Sequence, residues 1–156
     1  MDATAVRERF DLAHFNLAFG RQPMDHPVMH DFVRQIDEVN RLAAASPGFL
    51  WTPADGAAGD PEAVFDSVKA LANISTWRSV DDLRRFAYEG QHLAALRRRA
   101  EWFEAPTGPA YVLWWVPAGG CPDFAEGKAR LERLAAEGPT PAAFDFAHVF
   151  APIPLD

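Results

Sequence analysis

His92 and Arg99 stand seven residues apart in a stretch of helical periodicity, so both fall near one helix stripe with Tyr88 and Trp102. An imidazole titrates near neutrality and can carry a proton, and a guanidinium can hold an anionic or enolate-like oxygen. His92 lies at the edge of the apolar stripe, where it is either a proton-transferring group at a pocket or a satisfied boundary histidine. Gly90 precedes it and gives the helix a place to kink or break. His14 and Asn16 alternate along a β-prone segment and project from one face, with Asn73 in a segment expected to adjoin it. Buried polar groups need partners, so these three either bond one another and water or meet a ligand. Trp51, Trp77, Trp114 and Trp115 supply either core or apolar pocket walls. His14, Asn16, Tyr88, Trp102 and Trp114 are therefore the candidate ligand-binding residues, and His92 and Arg99 the candidate catalytic pair.

Other constellations carry less. Members of the run Arg97-Arg98-Arg99 diverge by about 100° each on a helix, so they cannot form one patch. Arg98 can stack on Trp102 and Arg97 can pair with Glu101, which leaves Arg99 as the candidate. His26 and His30 have the i, i+4 spacing of helical metal ligands, but no general-base Glu lies between them, and no metal site is expected. Cys121 in Gly119-Gly120-Cys121-Pro122 has no flanking nucleophile motif. The chain holds no P-loop, no dinucleotide fingerprint and no G-x-S-x-G.

The elements that must position these groups follow from periodicity and breakers. Residues Phe10–Phe19 alternate as a strand. Asp25 is the expected cap, with Pro27 in the first turn, of a helix carrying Val28, Phe32, Ile36, Val39 and Ala43, which Ser46-Pro47-Gly48 ends. Phe49–Trp51 is a short aromatic strand, and 53–61 is expected as a loop. A strand over 68–77 ends at Ser79, which with Asp82 forms a capping-box pattern. A helical stripe then runs through Leu83, Phe86, Gly90, Leu93, Leu96, Ala100 and Phe103. Residues 111–116 form a nearly continuous apolar strand, expected to be buried on both faces. Pro122-Asp123 opens a third helix that Gly138-Pro139 ends, and an aromatic tail follows.

The order strand, helix, strand, strand, helix, strand is the β-α-β-β-α-β pattern of the ferredoxin-like fold, an α+β class with an antiparallel sheet. The expectation is one domain over residues 1–156, with both principal helices on one face and a C-terminal helix and tail added. Because the first and last strands are apolar on both faces, the uncovered face is expected to be buried against a second copy in a homodimer. The site is expected between the second main helix and the sheet, with His92 and Arg99 facing His14, Asn16 and a tryptophan of the last strand.

Several stretches resemble the uncharacterised bacterial family known as domain of unknown function 3291. They are residues 12–17 (LAHFNL), 73–79 (NISTWRS), 96–103 (LRRRAEWF), 111–119 (YVLWWVPAG) and 138–144 (GPTPAAF). The resemblance spans about Leu12 to Pro152 and implies a dimeric α/β-barrel fold and a homodimer. It brings no catalytic residue. The wider superfamily includes cofactor-independent monooxygenases, haem proteins and stress-response dimers, so fold does not name a chemistry.

Composition bounds the partners. With 156 residues, 49% hydrophobic, the chain can bury a core unaided, and its single cysteine excludes an internal disulfide. The formal net charge of −7 opposes binding to phosphate backbones, so no nucleic-acid partner is expected. No apolar run approaches a membrane span and the N-terminus lacks a signal pattern, so the expectation is a cytoplasmic protein with no membrane partner. The functional expectation is binding of a small hydrophobic or aromatic metabolite in a pocket between helix and sheet, or, as the resemblance to monooxygenase-type α/β-barrel proteins implies, its cofactor-independent oxidation. The alternative is a non-catalytic homodimeric binding or protein-interaction module. No cofactor is expected, with haem on His92 the alternative.

Overall fold

The computed structural model describes residues 10–54, 56–88 and 99–152, without the side chains of Arg99 and Ala100. In chain order the elements are β1 (Phe10–Phe19), a 3-10 turn (Pro27–Met29), α1 (His30–Ala44), β2 (Phe49–Trp51), α2 (Pro61–Phe65), β3 (Ala70–Trp77), α3 (Val80–Tyr88), α4 (Arg99–Trp102), β4 (Tyr111–Pro117) and α5 (Phe124–Glu137). The strands form one antiparallel sheet in the order β2-β3-β1-β4. The chain is thus α+β, with β1 central and bonded along both edges.

Alternation along β1 sends its residues to two different layers. Leu12 shares a face with Trp77 of β3 and Trp115 of β4, and His14 with Ser75 and Leu113. On this face α1 and α3 pack, with Val80 and Leu83 against Leu12, Trp77 and Phe144. Ala13, Phe15, Ile74, Val112 and Trp114 fill the other face, where Phe124, Leu131 and Leu134 of α5 and Val64 and Phe65 of α2 cover them.

That second layer corrects the expected helix-free face. The added helix α5 lies on the sheet rather than beside it, so the large apolar groups on both sides of β1 and β4 are buried within one chain. The inference of a dimer loses the uncovered face on which it rested. The aromatic tail also belongs to the core: Phe144 and Leu113 exchange both backbone hydrogen bonds at 2.8 Å, extending the sheet beyond β4. Trp115 donates its indole N–H to the Phe150 carbonyl at 2.7 Å.

Local signals account for most element ends. Ser79 caps α3 by accepting from the Asp82 backbone N–H (3.1 Å), but the Asp82 carboxylate accepts from the Ser79 hydroxyl (2.9 Å), so the pair meets through side chains and only the serine half of the expected capping box forms. Asp123 caps α5 by accepting from the Glu126 N–H. Gly48 must be glycine: its φ is +85°, and a Cβ there would collide with Asp82. Three expectations change. His26, not Asp25, caps the first turn, its Nδ1 accepting from the Val28 N–H at 3.1 Å. Segment 53–61 is not all loop, because Asp60 caps α2 and Pro61 sits at its first position. Third, β3 begins at Ala70 rather than Val68, after α2 ends on Asp66 with a left-handed φ of 51°. The break expected at Gly90 lies outside the described residues.

Gly127 sets the spacing of the second layer. A Cβ on it would lie 2.5 Å from the Phe15 ring, so the helix approaches the central strand as closely as its backbone allows. Alanine would gain about 1 kcal/mol of helix propensity, yet overpacking a core typically costs about 1–3 kcal/mol. The expected outcome for Gly127→Ala is a net loss of about 1 kcal/mol, read as a lower urea midpoint at unchanged slope. A raised midpoint would show that Phe15 swings aside freely.

Candidate functional site

A cleft arises where the sheet runs out of strand. β2 is three residues long and pairs only with the Trp77 end of β3. Thr52 makes one last contact, donating its hydroxyl to the Ile74 carbonyl at 2.8 Å, and Pro53, which has no N–H, cannot add a ladder bond. From Ile74 back to Leu71 the edge of β3 therefore has no neighbouring strand among the described residues. Above it stands α1, which has no fully buried residue. Its stripe of Phe32, Ile36 and Val39 is only half-buried and turns toward the gap.

The result is a cleft of about 510 Å³, within the roughly 300–1,000 Å³ typical of small-molecule sites. It wraps around the β3 edge. On one side it is lined by α1 with Trp102 and Phe103, over Ala18 and Leu71. On the other it reaches Ala58, Phe124, Leu17 and Ala72. Its polar groups are neutral: the amides of Asn16, Asn73, Gln35 and Asn40, and Thr52. Among the described residues no charged side chain lines it.

Asn16 and Trp102 are the expected site residues that this cleft brings together. Asn16 pairs with Asn73 across β1 and β3, as expected of adjoining strands. Trp102 is buried, its ring 5.5 Å from Phe32. His14 lies one step along the same face, 6.0 Å between ring centroids from Tyr111, and does not line the cleft. Tyr88, at the end of α3, is exposed and packs edge-on against Phe146. Trp114 sits in the opposite layer. It pairs with Ala13, is fully buried, and lies under the Arg130 guanidinium with its indole N–H unpartnered. The reason is parity: Trp115, not Trp114, shares the face of His14. His92 and the side chain of Arg99 lie outside the described residues.

The cleft also uses residues that sequence reasoning left to the core. Phe32 and Ile36 were legible as an apolar stripe, but periodicity does not say whether a stripe meets a sheet or a gap. The signal for the gap was the sequence Trp51-Thr52-Pro53, a strand that cannot continue.

His26 spends its Nδ1 on a cap, which removes that nitrogen from any metal pair with His30. Among the described residues there is no group of three or more potential metal ligands. Cys121 is exposed, and its thiol donates to the Gly119 carbonyl at 3.6 Å. Among the described residues, too, no helix is long and apolar enough to cross a membrane.

Beside His14, burial holds the Tyr111 phenol above its ordinary 10.0. The Phe146 N–H, which donates to the phenol oxygen, works the other way. Between the unfolded value and the raised folded one, the native state binds more protons. Stability is therefore fully present below about pH 10 and falls as pH rises through that window. Urea midpoints measured from pH 9 to 11 should decline, and Tyr111→Phe should flatten the decline. An equal slope in the variant would assign the effect elsewhere.

A model of the family described as domain of unknown function (DUF3291) matches residues 11–154. No curated protein matches the chain. Among solved structures, the crystal structure of PA3566 from Pseudomonas aeruginosa is 10% identical with a TM-score of 0.49, covering 72% of this chain and 98% of that one. The NE2512 protein of unknown function from Nitrosomonas europaea is 13% identical with a TM-score of 0.45, covering 73% and 94%.

Proposed function

We propose that this chain, which belongs to the family described as domain of unknown function (DUF3291), binds a small, neutral, hydrophobic or aromatic molecule between α1 and the edge of β3. The observation that carries this reading is the cleft itself. Aromatic and aliphatic side chains form its walls, and a few uncharged amides converge on it. Apolar walls supply affinity, and the amides orient a ligand that offers hydrogen-bonding groups but no charge.

The described lining offers no acid, base or nucleophile, which favours binding over turnover. If the molecule is also oxidised, His92 and Arg99 are the residues proposed to act, His92 moving a proton and Arg99 holding an anionic oxygen. Binding requires no metal or cofactor. Haem on His92, the alternative, would give the purified protein a Soret band. The placement of β1 between β3 and β4, with α1 and α3 on one face, supports the ferredoxin-like, dimeric α/β-barrel assignment. A homodimer belongs to that assignment, formed through a surface other than the two covered sheet faces. A mass of one chain by light scattering would count against it.

Trp102 is a built-in reporter. Titration with a neutral aromatic dye such as Nile red should change tryptophan emission, and Trp102→Phe should remove most of that change. Ile36→Trp should fill the cleft and weaken dye binding about tenfold or more, equivalent to about 1.4 kcal/mol, with little effect on melting temperature. Dye affinity unaltered by Ile36→Trp would refute the site. For catalysis, oxygen consumption lost in His92→Gln with dye binding intact would separate chemistry from binding.

A further inference from the structure

The floor of the cleft is a sheet edge, and its hydrogen-bonding groups say what it would hold. In an antiparallel strand, one residue directs its N–H and C=O to the same side, and the next residue to the other. Lys69 accepts from Gly20 across to β1, whereas Ile74 accepts from Thr52 on the outer side. Even-numbered residues of β3 therefore point outward. Leu17, the β1 partner of Ala72, gives its N–H to Ala110 on the far side, which agrees with this parity. The Ala72 N–H and C=O thus point away from β1 into the space that β2 leaves empty. Among the described residues no other group bonds them.

An outward N–H and C=O on one strand residue are met by an N–H and C=O flanking one carbon atom, as in a residue of a facing strand. A single trans amide cannot do this, because its N–H and C=O point in opposite directions. The cleft adds a second constraint: it has apolar lobes on both faces of the β3 edge. A unit paired with Ala72 sends its own side chain to the lobe of Phe124 and Leu17. The groups on either side of it go to the lobe of Phe32 and Trp102. The uncharged described lining disfavours a free ammonium or carboxylate.

We propose, building on the binding role assigned to the cleft, that its ligand is a blocked, uncharged amino-acid or dipeptide derivative with apolar substituents, docked on Ala72 as a one-residue strand. The recognition element is the –NH–CHR–C(=O)– unit. The apolar groups fill the two lobes, and the amides of Asn16 and Asn73 flank the unit.

The test compares two nearly isosteric probes, N-benzoyl-L-leucine benzylamide and its depsipeptide analogue, in which oxygen replaces the leucine N–H. Tryptophan fluorescence and calorimetry with the intact chain should show the amide binding at least about tenfold tighter, since the ester leaves the Ala72 carbonyl unmet. Ala72→Pro removes the outward N–H without touching the ladder to β1, and should weaken both probes. Circular dichroism checks its fold, and the probe pair on the natural sequence decides the matter if that variant is unfolded. Equal binding of the two probes overturns the edge docking while leaving the cleft reading intact. Nile red binding with neither probe bound does the same. Failure of the dye and both probes overturns the cleft reading as well.

Discussion

Strand β1 is hydrogen-bonded on both edges and covered on both faces, and the other elements take their places from that constraint. A central strand with Leu12 on one side and Phe15 on the other needs an apolar layer on each. α1 and α3 supply one. α5 and α2 supply the other, with Gly127 allowing the helix backbone to settle onto the Phe15 ring. The tail joins in because Leu113, already buried, still had an outward N–H and C=O for Phe144 to meet.

The same sheet is bridged by the tail at one edge and runs out of strand at the other. Beyond β4 the tail meets the edge at one residue, Leu113, through Phe144. Beyond β3 the short β2 closes only the Trp77 end, and Pro53 prevents more. An open edge invites pairing, and here it lies between helices rather than on a flat exposed border. That placement turns an aggregation liability into a half-open, apolar recess with a polar floor. The half-buried stripe of α1 belongs to this recess, which accounts for an amphipathic helix with no fully buried residue.

Site and core are separated by parity more than by distance. Asn16 and Leu17 are neighbours in sequence yet line opposite lobes of one cleft, because the cleft wraps the sheet edge. Trp114 and Trp115 are neighbours too, yet one is core beneath Arg130 and the other tethers the tail through Phe150. Tyr111, on the face of His14, links the sheet to that tail through the Phe146 N–H.

Most of the elements and their ends were legible in the sequence alone, the short helix α2 being the exception. Strict alternation marked β1, the serine and aspartate caps marked α3 and α5, and Gly138 marked the end of α5, because these signals are local and act within a few residues. The sequence also determined that Asn16 and Trp102 were worth watching, as a polar group on an apolar strand and a large ring on a helix. It took the tertiary structure to settle which layer α5 would join, and hence that neither face of β1 stayed bare. Only it decided that Trp114 was core, and that the open edge of β3 lay under α1. Those outcomes depend on register and on contacts between segments far apart in the chain. A shift of one residue in a strand reverses every side chain, and no local pattern fixes that choice.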